Sequence, residues 1–209
     1  MKKISLILFI LIGFNVLSQG KYEAGMTKAL TDLKNAQTAD DMLKISAFFE
    51  RIADAEKDKW LPYYYAAFCN NASAWMNEKA DKDKTAEKSL VLLDKAEILE
   101  TNNSEIHCLR SMTATMQMTV DPMSRWQSYG TEASKALDNA KKADPNNPRI
   151  YHLEAQSKMN TPVAFGGGKK VAKPIFEKAV ELYNSFTLAS PFHPDWGKDD
   201  AVKLLKECD

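Results

Sequence analysis

The chain has 209 residues, with 28 basic and 28 acidic side chains, 44% hydrophobic content, eight Gly, eight Pro and three Cys. That length buries one core of ordinary size but not several, and the balanced charge excludes a nucleic-acid surface built on basic excess. The Gly, Cys and charge figures exclude collagen-like, disulfide-scaffold and disordered classes, and 25 Ala against 7 Val favour helix over sheet.

Met1-Lys2-Lys3 is a basic start, followed by an apolar run from Ile4 to Val16 interrupted only by Ser5, Gly13 and Asn15. The run is shorter than the ~20 residues a membrane-spanning helix needs and suits a signal-peptide core. Val16 and Ser18 fit positions −3 and −1 of a cleavage site. The expected layout is a signal peptide over 1–18 and a single α-helical repeat domain over 19–209. The mature chain is then periplasmic or secreted, with no insertion in the membrane.

Helical periodicity and cap residues place helices at 22–36, 39–56, 60–76, 84–100, 104–118, 122–143, 148–159, 170–185 and 197–207. Trp60, Tyr63, Tyr64, Ala67, Phe68, Asn71 and Trp75 follow the i, i+3, i+4, i+7 rhythm of one helix face. Thr38 with Asp41 reads as a capping box, and Asp121-Pro122 and Asn147-Pro148 each set a cap before a first-turn proline. No segment shows sustained period-2 alternation, so the expected class is all-α.

The chain also repeats itself. Asp94 to Ile106 aligns with Asp138 to Ile150, and weaker echoes set Ala53, Ala96, Ala140 and Ala179 in register. The period is about 43 residues, the scale of helix-pair repeats.

On these residues the chain resembles the tetratricopeptide-repeat family. Ala133, Leu137, Ala140 and Pro145 fit the pattern of that family's second helix completely; Ala172, Phe176 and Ala179 fit it with Asn184 for the proline. Ser89, Leu93 and Ala96 fit with Thr101 at the end, and Ser46 and Ala53 fit loosely. The period is about ten residues longer than the family's roughly 34, and armadillo or HEAT repeats are the alternative at fold level. The resemblance implies about four helix pairs stacked into a right-handed superhelix, an α-α solenoid, with a capping helix at 197–207. A second, local resemblance joins Thr161-Pro162-Val163-Ala164-Phe165-Gly166-Gly167-Gly168 to the Gly-Gly turn of some exported bacterial tetratricopeptide proteins, among them a component of tripartite periplasmic transporters.

That glycine run precedes two lysines but satisfies no phosphate-loop spacing, and reads as a turn needing positive φ. His107, His152 and His193 have no metal-ligand spacing, with His152 expected on a helix surface. No nucleophile motif is present, so neither catalysis nor a cofactor or metal is expected. Cys208 reads as a loose tail thiol. Cys69 and Cys108 would lie on adjacent helices, either as buried thiols or as a disulfide.

In stacked repeats the first helices line the concave face. Its expected lining is Tyr65 and Cys69, then Cys108 and Met112, then Arg149, His152 and Gln156. The expected function is a non-catalytic scaffold that binds a protein or peptide through this face. The alternative is a periplasmic ligand-binding component of a transport system, suggested by the glycine turn. Trp196 is expected to anchor the capping helix to the last repeat.

Overall fold

The computed structural model describes residues 20–209, so the expected signal peptide lies outside the described residues. Every regular element among them is helical. In chain order they are α1 (residues 20–35), α2 (Ala39–Glu56), α3 (Trp60–Met76), α4 (Lys82–Leu99), α5 (Ser104–Met118), α6 (Pro122–Ala143), α7 (Pro148–Asn160), α8 (Lys169–Ser185) and α9 (Lys198–Glu207). A 3₁₀ turn at Val163–Phe165 joins α7 to α8.

The caps explain the starts. Thr38 and Asp41 form the capping box of α2, and Asp121 and Asn147 accept from first-turn amides of α6 and α7, each followed by proline. Pro174 falls in the second turn of α8.

Helices pack in sequence from α2 to α9, and odd-numbered helices also meet each other, α3 on α5 and α5 on α7. Most small residues of the repeat pattern sit at these contacts: Ser46, Ala53, Ser89, Ala96, Ala140, Ala172 and Ala179 are fully buried, while Ala133 is half-buried. Small side chains there let helix axes approach closely. The aromatic stripe on α3 from Trp60 to Phe68 belongs to the main core, where Phe49 stacks on Tyr65 at 5.1 Å, while Trp75 is exposed. All three cysteines are free thiols, so the Cys69–Cys108 disulfide does not form; both are buried as small apolar groups. Among the described residues no helix is long and apolar enough to cross a membrane.

Candidate functional site

The first turn of α7 carries Arg149, which is 1% exposed. Its Nη1 donates to Glu105 Oε1 at 2.9 Å, and Glu105 comes from the first turn of α5. Asn147 Nδ2 donates to the same oxygen at 2.8 Å, while Asn147 Oδ1 caps α7. Burial pushes the Glu105 carboxyl above its usual range, and its attraction to Arg149 only partly offsets that. The guanidinium lies 5.1 Å from the rings of Phe186 and Trp196 and 5.9 Å from that of Tyr183. Its Nη2 donates to the Pro194 carbonyl.

Arg149 therefore grips the segment between α8 and α9, and that segment runs as a strap over the odd-numbered helices. Phe192 meets Tyr22 of α1 edge-on at 5.7 Å, and its carbonyl accepts from the Tyr65 hydroxyl at 2.9 Å. His193 meets Trp60 at 5.9 Å, and Trp196 tilts against Phe68 at 5.7 Å. Trp196 Nε1 donates to the Tyr64 hydroxyl at 2.8 Å, so this tryptophan ties α9 to α3, not merely to the last repeat as expected. Gly197 makes the turn into α9 at φ 103°, where a Cβ would overlap the Tyr183 hydroxyl.

Of the expected concave-face residues, Tyr65, Arg149 and His152 meet the strap and Gln156 meets α9, whereas Cys108 packs with Ala140 and Ile150. Tyr65, Cys108, Arg149 and His152 are buried; Met112 is half-buried against the main core. His152 is 3% exposed, which corrects the surface position expected for it. Its Nε2 lies 3.0 Å from Asp200 Oδ2, and Gln156 Nε2 donates to the same oxygen at 2.9 Å. The hydrogen bond to His152 holds the Asp200 carboxyl below its usual range. An open groove for an extended peptide is not what this face presents, because the chain's own strap lies in it.

An open concavity exists on the even-numbered side. Leu90 and Glu97 of α4, and Glu132, Lys135, Ala136 and Asn139 of α6, wall a cleft of about 340 Å³. Its floor is α5, through His107, Arg110, Ala114 and Gln117. One end is bridged by Arg125 on α6, which grips Asp83 on α4 with both terminal nitrogens at 2.7 and 2.9 Å and donates to the Gln117 carbonyl. Toward the other end Arg110 Nη2 is held by Asp94 and Glu97, each at 2.6 Å. Burial holds the His107 imidazole below its usual range, so it is neutral at neutral pH. The helix that forms one wall packs along α5 and has only Ala140 buried, and near the bridged end Met123 and Trp126 stand 86% and 61% exposed three residues apart. Large apolar surface left open on a helix marks a contact not made within the chain.

Sequence reasoning placed α6 but named only His107 among the cleft residues, and gave it no role there. The available signal was Met123 and Trp126 on an otherwise polar helix, with small residues at Ala114 and Ala136 across from each other. Spacing along single helices does not show which walls of different helices face one another.

The fold defines an all-α protein of the helical-repeat kind. No protein-family model matches the chain, and no curated protein matches it. Among solved structures it is similar to the HusA haemophore from Porphyromonas gingivalis, at 40% sequence identity over 90% of this chain and 92% of that one, with a TM-score of 0.82. The chain belongs to the family of that haemophore. This kinship overturns the expectation of a protein-binding scaffold: the similar protein is a haemophore, which favours ligand binding.

Proposed function

We propose that the chain is an exported carrier that binds a porphyrin such as haem and catalyses no reaction on it. The observation that carries this reading is the 40% identity to a haemophore across nearly the whole of both chains. Residues 1–18 are read as the signal peptide and 19–209 as the carrier, placed in the periplasm or outside the cell. The hairpins are read as tetratricopeptide-like units stacked into a right-handed superhelix, a reading supported by the contacts of α3 with α5 and of α5 with α7.

The seat we assign is the cleft between α4 and α6. A porphyrin is a flat apolar disc with carboxylates along one edge, and it needs apolar walls and nearby cations. Leu90, Ala114 and Ala136 supply apolar lining, Lys135 supplies a cation beside the Arg110 guanidinium that Asp94 and Glu97 already hold, and His107 offers a ring nitrogen. A cleft of this volume covers part of the disc, and Met123 and Trp126 extend apolar surface beyond its bridged end.

Titration of the mature chain with haem, read by the haem absorption band and tryptophan quenching, tests the reading. Saturable one-to-one binding is expected, and its absence overturns it. Ala136→Trp fills the cleft and is expected to weaken binding about ten-fold or more while leaving helix content unchanged. Undiminished affinity in that variant removes the cleft as the seat and leaves the carrier reading standing.

A further inference from the structure

The turn between α7 and α8 is built to hold its shape. Phe165 N–H donates to the Pro162 carbonyl, Gly166 N–H to Val163 and Gly168 N–H to the Lys158 carbonyl, at 2.9, 3.0 and 2.8 Å. Gly166 and Gly168 have φ of 78° and 98°, and a Cβ at Gly167 would overlap the Thr161 carbonyl oxygen. A turn of this kind needs glycines. It does not need what lies at its tip. Residues 162–166, Pro-Val-Ala-Phe-Gly, are all exposed, with Val163 at 80% and Phe165 at 81%. Val171, in the first turn of α8, adds a further exposed apolar group.

Lysines flank this tip in the chain. Lys158 precedes it, and Lys169 and Lys170 follow it, all exposed. Lys169 donates to the Glu207 carbonyl at the C-terminal end of α9, while Lys158 and Lys170 are exposed. Lys173, one turn on, is paired with Asp209 at 2.6 Å. In a chain with equal numbers of acidic and basic residues this is a local set of cations flanking an apolar knob. Apolar groups that enter the interface, with lysines reaching anionic headgroups around them, are the components of peripheral membrane attachment. A prearranged tip loses little conformational freedom when it docks.

We propose that the Val163–Phe165 tip and its flanking lysines dock this protein on an anionic lipid surface, without spanning it. The mature full-length chain is to be sedimented with vesicles of phosphatidylcholine alone and with vesicles in which about three parts in ten are phosphatidylglycerol. The expected result is co-sedimentation with the anionic vesicles only, falling as salt is raised. Val163→Ser with Phe165→Ser, and separately Lys158→Gln with Lys170→Gln, are each expected to reduce partitioning about ten-fold. Their circular dichroism and melting should match the parent, since these side chains face solvent. Failure of the parent chain to sediment with anionic vesicles, or full partitioning by both folded variants, overturns the proposal. Partitioning lost with the lysine pair but kept with the apolar pair also overturns it, because the tip then takes no part.

Discussion

Trp196 donates its indole N–H to the hydroxyl of Tyr64 across 132 residues of chain. The same indole lies over Arg149 and against Phe68, so one side chain joins the strap to α3 and α7 at once. Trp196→Phe should keep most of the ring contacts and lose the hydrogen bond, costing about 1 kcal/mol. Trp196→Ala should cost about 3 kcal/mol by removing the ring as well. Urea unfolding followed by circular dichroism measures both, and equal losses would mean that the ring contacts contribute nothing.

The Arg149–Glu105 pair is buried at both ends. Removing one partner strands the other charge, so Arg149→Met alone should destabilise by about 3–5 kcal/mol. Pairing it with Glu105→Leu removes the stranded carboxylate, and the double variant should be more stable than the sum of the single losses allows. A double-mutant cycle in urea gives this coupling directly. Arg149→Lys should not restore stability, because an ammonium cannot lie flat against Phe186 and Trp196 while reaching the Pro194 carbonyl.

Asp200 should make the attachment of α9 sensitive to acid. Its folded pKa is depressed, chiefly by the hydrogen bond to His152, so its contribution to stability is present above the ordinary carboxylate pKa near 4 and is lost as pH falls through the lowered folded value. The difference in melting temperature between the parent and Asp200→Asn should therefore be largest at neutral pH and shrink toward zero in stronger acid. A difference that stays constant down to pH ~2 would show that Asp200 acts through packing alone.

Thiol reactivity should separate the three cysteines. Burial pushes the Cys69 thiol up to about 12 and raises that of Cys108 well above its usual value, while Cys208 is half-buried at the chain end. A disulfide reagent at pH 8 should titrate one thiol per native chain, and denaturant should expose the other two. Rapid labelling of two native thiols would contradict this burial.

Much of the fold was legible because the repeat has a measurable spacing. Asn71 bonds Thr113 at a separation of 42 residues, Arg125 bonds Asp83 at 42, Asn147 bonds Ser104 at 43 and Arg149 bonds Glu105 at 44. These lie within two residues of the 44-residue offset of the internal alignment, so nearly comparable positions in successive units touch. Caps such as Thr38, Asp121 and Asn147 fixed the helix starts through local chemistry. The strap was not legible, because its contacts join residues 192–196 to Tyr22, Trp60 and Tyr64 with no period to announce them. For that reason Arg149 and His152 were read as open groove residues when they are the strap's own anchorage. The cleft was hidden for another reason: it depends on how α4 and α6 are set apart across α5, and spacing along a single helix carries no record of that.

The strap also changes how such an array can come apart. A row of helix pairs that touch only their neighbours loses stability piecemeal from its ends. Here the residues just before the final helix bond to helices from the beginning, so neither end is free to fray on its own. The chain is closed like a belt, and unbuckling it means releasing Trp196, Phe192 and Arg149 together. Unfolding should then be a single cooperative event for all the hairpins. The closing contact, spanning most of the chain, should form late and set the pace of folding.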